Sequence, residues 1–119
     1  MENKQAKELL HIRDWLAHAA LIVERGHTAY EADPLLQEAG DAIMMKLGEA
    51  ANRLTRLGLE PPRGIRWLDA VDNRNWLIHQ YDEVDRDQTW ETLRLDLAAW
   101  LVALDPLFSA AESHFAGDT

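Results

Sequence analysis

The feature that most constrains the fold is a helical spacing of apolar residues, which covers most of the chain. In the first run, residues 4–25, apolar side chains recur at steps of three and four residues. That spacing puts them on one stripe of a helix, whereas a half-buried strand would need strict alternation. Gly26 suits the end of this helix, because glycine adopts the left-handed conformation at little cost. The stripe consists of Leu9, Ile12, Leu16, Ala19 and Val23.

A second run with the same spacing begins at Asp33-Pro34 and ends at Gly58. Aspartate can cap the free amides of a helix start, and proline is tolerated in the first turn. Gly48 is notable because glycine inside a helix costs roughly 1 kcal/mol relative to alanine. Small residues let another helix approach closely, and this run offers Gly40, Gly48, Ala50 and Ala51.

The remaining helices are separated by clear breaks. Residues 59–64 contain two prolines and a glycine and therefore form a loop. A third helix is predicted to start at Ile65 or Trp67 and to run to about Tyr81. The acidic stretch 82–87 interrupts it, and an aspartate in that stretch can cap a fourth helix.

The end of the chain completes an all-α pattern. Asp105-Pro106 breaks the fourth helix and can start a short fifth helix that ends near Phe115. No strand pattern competes with these helices. We therefore predict one all-α domain over residues 1–119, an up-and-down four-helix bundle with the short fifth helix added.

Composition indicates the cellular compartment of such a domain. The 119 residues suffice for a hydrophobic core, and 47% of them are hydrophobic. There is no cysteine, so disulfides and thiolate chemistry are excluded. The polar N-terminus does not resemble a signal peptide, and no apolar run approaches the ~20 residues of a membrane span. These observations predict a cytoplasmic protein with no membrane partner.

The charge is strongly acidic but uneven. The net charge is −9, which opposes broad binding to nucleic acid. Residues 46–74, however, carry six basic and four acidic side chains, or +2, so the remainder carries −11. A basic strip on an acidic body allows a local phosphate site or an acidic partner. The basic members are Lys46, Arg53, Arg56, Arg63, Arg66 and Arg74.

The densest chemistry lies in residues 74–81, which contain Arg74, Asn75, His79 and Tyr81. At about 100° per residue, Arg74 and His79 flank one broad face of a helix, about 140° apart. Arginine offers a permanently charged fork to phosphate oxygens, and histidine titrates near neutrality and can transfer a proton. This set suits metal-independent cleavage of a phosphodiester. One histidine cannot easily act as both base and acid, a difficulty that two facing copies in a dimer would remove.

A structural interpretation of the same residues is the more common one for such a pattern. A histidine near a helix C-terminus often interacts with the helix dipole, and Arg74 can pair with Asp69 or Asp72. Glu49 can face the same cleft or pair with Arg53. The histidines His11, His18 and His27 raise the question of a metal, but no third ligand is evident. We predict no metal site and no cofactor.

The sequence resembles the HepT family of the HEPN (higher eukaryotes and prokaryotes nucleotide-binding) superfamily over about residues 5–105. The signature of that family is Arg-x4-His-x-Tyr, usually with asparagine after the arginine. Arg74, Asn75, His79 and Tyr81 match it fully. The surrounding features that also match are Gly48-Glu49-Ala50, Trp67, Val84-Asp85 and Trp90.

The resemblance implies a toxin of a type VII toxin–antitoxin system of the HepT/MntA kind, an endoribonuclease that acts on RNA as a homodimer. Arg74 and His79 would be the catalytic residues, and Asn75 and Tyr81 would support them. A cognate minimal nucleotidyltransferase antitoxin would silence the toxin by adding AMP to Tyr81. The alternative is a non-catalytic helical homodimer that only binds a nucleotidyltransferase.

Overall fold

The computed structural model describes residues 1–80 and 83–117, and every regular element within them is helical. The absence of strands in these described residues confirms the predicted all-α class. The number of helices fits a helical bundle; the up-and-down order and the dimer stay predictions. The elements are α1 (Asn3–Glu24), α2 (His27–Ala32), α3 (Pro34–Arg56), α4 (Trp67–Ile78), α5 (Arg86–Glu91), a π-helical turn (Thr92–Asp96), α6 (Leu97–Ala103) and α7 (Asp105–Ala116).

The core forms where the predicted apolar stripes meet. On α1 the stripe residues Leu9, Ile12, Leu16 and Ala19 are at most 1% exposed, because α3, α6 and α7 all pack against this helix. On α3 the buried stripe includes Leu47, Ala50 and Leu54. Across residues 1–80 and 83–117, no helix is both long enough and apolar enough to cross a bilayer.

Helix starts and stops follow the predicted signals. The Asp33 side chain accepts a hydrogen bond from the Leu35 N–H at 2.9 Å, at the start of α3. Gly26, after the end of α1, has a φ of +92°, a conformation that glycine tolerates. Asp85 caps α5 by accepting from two backbone amides. Pro106 lies in the first turn of α7.

Two short elements are absent from the sequence prediction. Helix α2 has only six residues, too few to establish a period, and is fixed by its buried Tyr30. The Tyr30 hydroxyl lies 2.7 Å from the Thr89 hydroxyl of α5, which ties the two helices together. The π-helical turn divides the predicted fourth helix. There, the Thr92 hydroxyl donates a hydrogen bond to the Gln88 carbonyl oxygen at 3.1 Å. This bond competes with the regular backbone hydrogen bonds of an α-helix.

Helix α4, which carries the motif, packs on α3 more extensively than any other pair of elements packs. Its start is anchored by Trp67, whose indole N–H donates to the Leu59 carbonyl at 2.8 Å. The helix ends at Ile78, so the prediction that it runs to about Tyr81 is wrong. Its last turn tightens, since the Gln80 N–H reaches the Leu77 carbonyl, three residues back, at 3.2 Å. Tyr81 lies outside the described residues.

Candidate active site

Arg74 lies on α4 directly opposite Gly48 of α3. A Cβ atom added to Gly48 would be 2.4 Å from the Arg74 Cβ and 2.9 Å from the Ala70 carbonyl oxygen. Contacts this short are not tolerated, so only glycine lets the two helices meet here. The predicted close approach at Gly48 is confirmed, and the side chain that it admits is the arginine of the motif.

The guanidinium group of Arg74 is held by polar neighbours on both helices. Its Nε lies 3.9 Å from the Glu49 Oε1, and its Nη1 donates to the Asn75 Oδ1 at 3.3 Å. The side chain is 32% exposed, although within the described part of the chain the Nε is buried without a hydrogen-bond partner. Part of the guanidinium therefore remains open to an anion.

The structural interpretation of Arg74 predicted Asp69 or Asp72 as its partner. Asp69 instead pairs with Arg66 at 3.5 Å, and Arg74 pairs with Glu49. Glu49 itself is available for this role because Arg53 is bound by Glu8, at 2.8 and 3.1 Å. Its position beside Gly48 was the sequence signal that it faces the site.

His79 directly follows the last residue of α4 and forms its C-cap. Its backbone has left the helical conformation, with φ −84° and ψ 1°, and its N–H contacts the Asn75 and Trp76 carbonyls at 3.2 Å each. The side chain is exposed, as is that of Asn75. The structure thus brings Arg74, Asn75 and His79 to the C-terminal half of one helix. Tyr81, outside the described residues, is not placed relative to them.

A separate cavity of about 340 Å³ opens between α3, α4 and α6. Its apolar lining includes Met44, Leu47 and Trp100, and its rim includes Asp69 and Asp96. Asp96 is exposed overall, but partial burial of its carboxyl raises the pKa, and the negative charges of Asp69 and Glu91 raise it further. Because its rim is acidic, this cavity disfavours phosphate, in contrast to the surroundings of Arg74.

The raised pKa of Asp96 predicts a pH-dependent stability. The folded protein protonates this group more readily than the unfolded chain does, so its ionisation destabilises the fold. The destabilisation is absent below the unfolded pKa, ~3.9, and grows as pH rises through the folded value. Asp96→Asn should therefore raise the melting temperature at neutral pH and leave it unchanged at about pH 3. Thermal denaturation at both pH values checks this, and Asp72→Asn, an exposed position of α4, controls for net charge.

Among the described residues, one set of potential metal ligands comes together, namely His27, Glu31 and Asp87, whose ligand atoms lie within 4.8 Å of one another. His27 Nε2 is 3.0 Å from the Glu31 Oε1 and 3.9 Å from the Asp87 Oδ1. All three residues are exposed, and their contacts are those of surface ion pairs. We assign no metal to them. Neither His11 nor His18 belongs to this set.

Comparison with known proteins supplies the family. The profile of the family described as Ribonuclease HepT-like matches residues 12–107, most of the chain. No curated protein and no solved structure matched. The matched range extends from α1 into α7 and contains Gly48, Glu49, Arg74 and His79. The chain belongs to the HepT-like ribonuclease family.

Proposed function

We propose that the protein is a metal-independent endoribonuclease and the toxin component of a type VII toxin–antitoxin system. The observation that carries the proposal is the placement of Arg74. The Arg74 side chain packs against Gly48, forms an ion pair with Glu49 at 3.9 Å, and lies on the same helix end as His79. Membership in the HepT-like ribonuclease family supports the same chemistry.

The proposed reaction is transfer of the RNA phosphate to the neighbouring ribose 2′-hydroxyl. The 2′-oxygen forms a bond to phosphorus, and the bond from phosphorus to the 5′-oxygen breaks. The products are a 2′,3′-cyclic phosphate and a free 5′-hydroxyl. Arg74 stabilises the negative charge that develops on the phosphate oxygens, and His79 transfers a proton to or from a reacting oxygen. The Glu49 carboxylate of α3, 3.9 Å from the Arg74 Nε, attracts the guanidinium electrostatically.

We propose a homodimer as the active species. Each chain supplies one His79, whereas the reaction needs a base for the 2′-hydroxyl and an acid for the 5′-oxygen. Two motifs facing each other across a cleft would supply both, with one imidazole neutral and the other protonated. The exposure of the His79 side chain is compatible with that arrangement.

Tyr81 is the proposed site of regulation. A cognate minimal nucleotidyltransferase antitoxin would add AMP to its hydroxyl. In the sequence the tyrosine is two residues after His79, and the modification would add bulk and negative charge to this part of the motif. A phosphate there would repel the RNA backbone, and the nucleoside would block access.

The test is to induce the wild-type protein and His79→Ala separately in cells that lack the partner gene, and to measure the intact mass of each purified protein. We expect growth arrest from the unmodified wild type only. A folded, unmodified wild type that causes no arrest would favour the alternative, a non-catalytic homodimer that binds a nucleotidyltransferase. With the partner present, the mass should rise in steps of one AMP, and Tyr81→Phe should prevent the rise.

A further inference from the structure

A groove of about 300 Å³ lies between the start of α1 and the end of α3. Four basic side chains and one acidic side chain line it, together with Leu57, which makes the groove net +3 on a chain of −9. The rest of the chain therefore carries −12. We propose that this basic groove binds the phosphate backbone of the RNA substrate, an inference that rests on the proposed function. Its charged members are Lys4, Lys7, Glu8, Arg53 and Arg56.

The positive charge of the basic groove is largely uncompensated. Within the described residues, five of the seven arginines outside it form an ion pair with a carboxylate. The clearest case is Arg86, which binds Asp41 through two bonds of 2.7 and 2.9 Å. Inside the groove only Arg53 has such a partner, Glu8. Among the described residues, Lys4, Lys7 and Arg56 form no ion pair. Like charges gathered between two helices repel one another, and a bound anion would relieve that repulsion.

The two walls of the basic groove are fixed to each other. Gln5 of α1 is only 8% exposed, and its side-chain amide donates to the Leu57 carbonyl, just past α3, at 2.9 Å. The two hydrogen bonds between Arg53 and Glu8 form a second link. The helix segments that carry the cations are thus held together before any ligand arrives, which reduces the ordering that binding requires.

The basic groove and the motif share one surface of the protein. Glu49, Arg53 and Arg56 are four and three residues apart, so they lie along the outer face of α3. On one side of that face Glu49 contacts Arg74 of α4, and on the other Arg53 contacts Glu8 of α1. Neighbouring helix axes are about 8–10 Å apart, so a single strand that crosses α3 reaches both sites.

An extended polyanion fits this arrangement better than an acidic protein segment does. A nucleic-acid strand presents a negative charge at every nucleotide, so it can occupy the basic groove and Arg74 with successive phosphates. The arrangement also explains how a chain of −9 can bind RNA, since contact is confined to a local basic surface. The substrate therefore binds across the outer face of α3. The cleaved phosphate lies at Arg74, and other nucleotides of the same strand lie in the basic groove.

The test is binding of a short fluorescent 2′-O-methyl oligoribonucleotide, which lacks the 2′-hydroxyl needed for cleavage. Its affinity for the wild type and for the double variant Lys4→Gln/Lys7→Gln is measured by anisotropy over a range of salt concentrations. Losing two phosphate contacts should lower the slope of log affinity against log salt by about 1.4 for a single strand. Cleavage of ordinary RNA should show a raised KM with an unchanged kcat, because neither lysine touches the reacting atoms.

The matched control is Arg25→Gln/Arg94→Gln, which removes the same charge outside the basic groove and should leave the slope unchanged. Equal slopes for all three proteins would overturn the inference. So would a lysine variant that no longer binds the antitoxin but binds RNA as the wild type does. The inference and the proposed function fail separately. If the lysine variant lowers the salt slope but the wild type cleaves no RNA, the basic groove binds RNA and the proposed nuclease activity is rejected. If cleavage depends on His79 but the lysine variant leaves the slope unchanged, only the proposed role of the basic groove is rejected.

Discussion

His79→Ala is expected to reduce the rate of RNA cleavage by about 10²- to 10⁴-fold, the usual contribution of a proton-transfer group. The fold should survive, because the side chain is exposed and lies at the end of α4. The backbone bonds that close this end use the His79 N–H, which alanine retains. Single-turnover cleavage of a defined RNA by the purified, unmodified protein measures the effect, and thermal denaturation measures the fold.

The specificity of that result depends on two comparisons. His18→Ala removes an exposed histidine of α1 and should leave the rate unchanged. Arg74→Lys keeps a positive charge but loses the planar fork, so it should also lose most of the activity. Full cleavage by His79→Ala would remove His79 from the mechanism. An unfolded His79→Ala protein would instead indicate that the residue has a structural role.

Gly48→Ala is expected to damage both stability and activity. The added methyl carbon would meet the Arg74 Cβ at 2.4 Å and a backbone oxygen of α4 at 2.9 Å, so α3 and α4 must separate. Overpacking costs about 1–3 kcal/mol, and the better helix propensity of alanine offsets about 1 kcal/mol of it. Displacing Arg74 by about 1 Å can reduce the rate by about 10²-fold. Denaturant unfolding and cleavage rates provide the two measurements.

Gly40→Ala in the same helix is the matched control. Its added carbon would lie 3.0 Å from the Leu93 Cδ1, the end of a side chain that can move, so the loss of stability should be smaller. The activity should be unchanged, since no residue of the motif is touched. If Gly48→Ala folds and cleaves like the wild type, Arg74 does not need the close approach of α3 to α4.

Most helix positions and ends were predictable because they depend on local signals, although α4 ends earlier than predicted. The apolar stripe of α1, the Asp33 cap and the Gly48 contact all follow from residue type and spacing. Helix α2 was not predicted, because its place is set by the long-range bond between Tyr30 and Thr89. The π-helical turn escaped prediction for a similar reason, since apolar spacing alone does not reveal a local change of helix type.

The site was predictable as a motif but not as an assembly. Arg74 and His79 are close in sequence, whereas the ion-pair partner of Arg74 is Glu49 of α3. The sequence had instead indicated Asp69 or Asp72 as the partner, because both are close to Arg74 along the chain. The basic groove was missed in part. Arg53 and Arg56 belong to the predicted basic strip, but Lys4 and Lys7 join them only because α1 and α3 pack together at this end.

The seating of Arg74 against Gly48 also bears on the order of folding. The two residues are 26 positions apart, in helices joined by one loop, so their contact closes a short segment of chain. The packing of α7 on α1 is far less local, as the contact of His114 with Asn3 spans 111 positions. Short closures cost less entropy and form sooner. Arg74 is therefore expected to pack against Gly48 before α7 packs on α1.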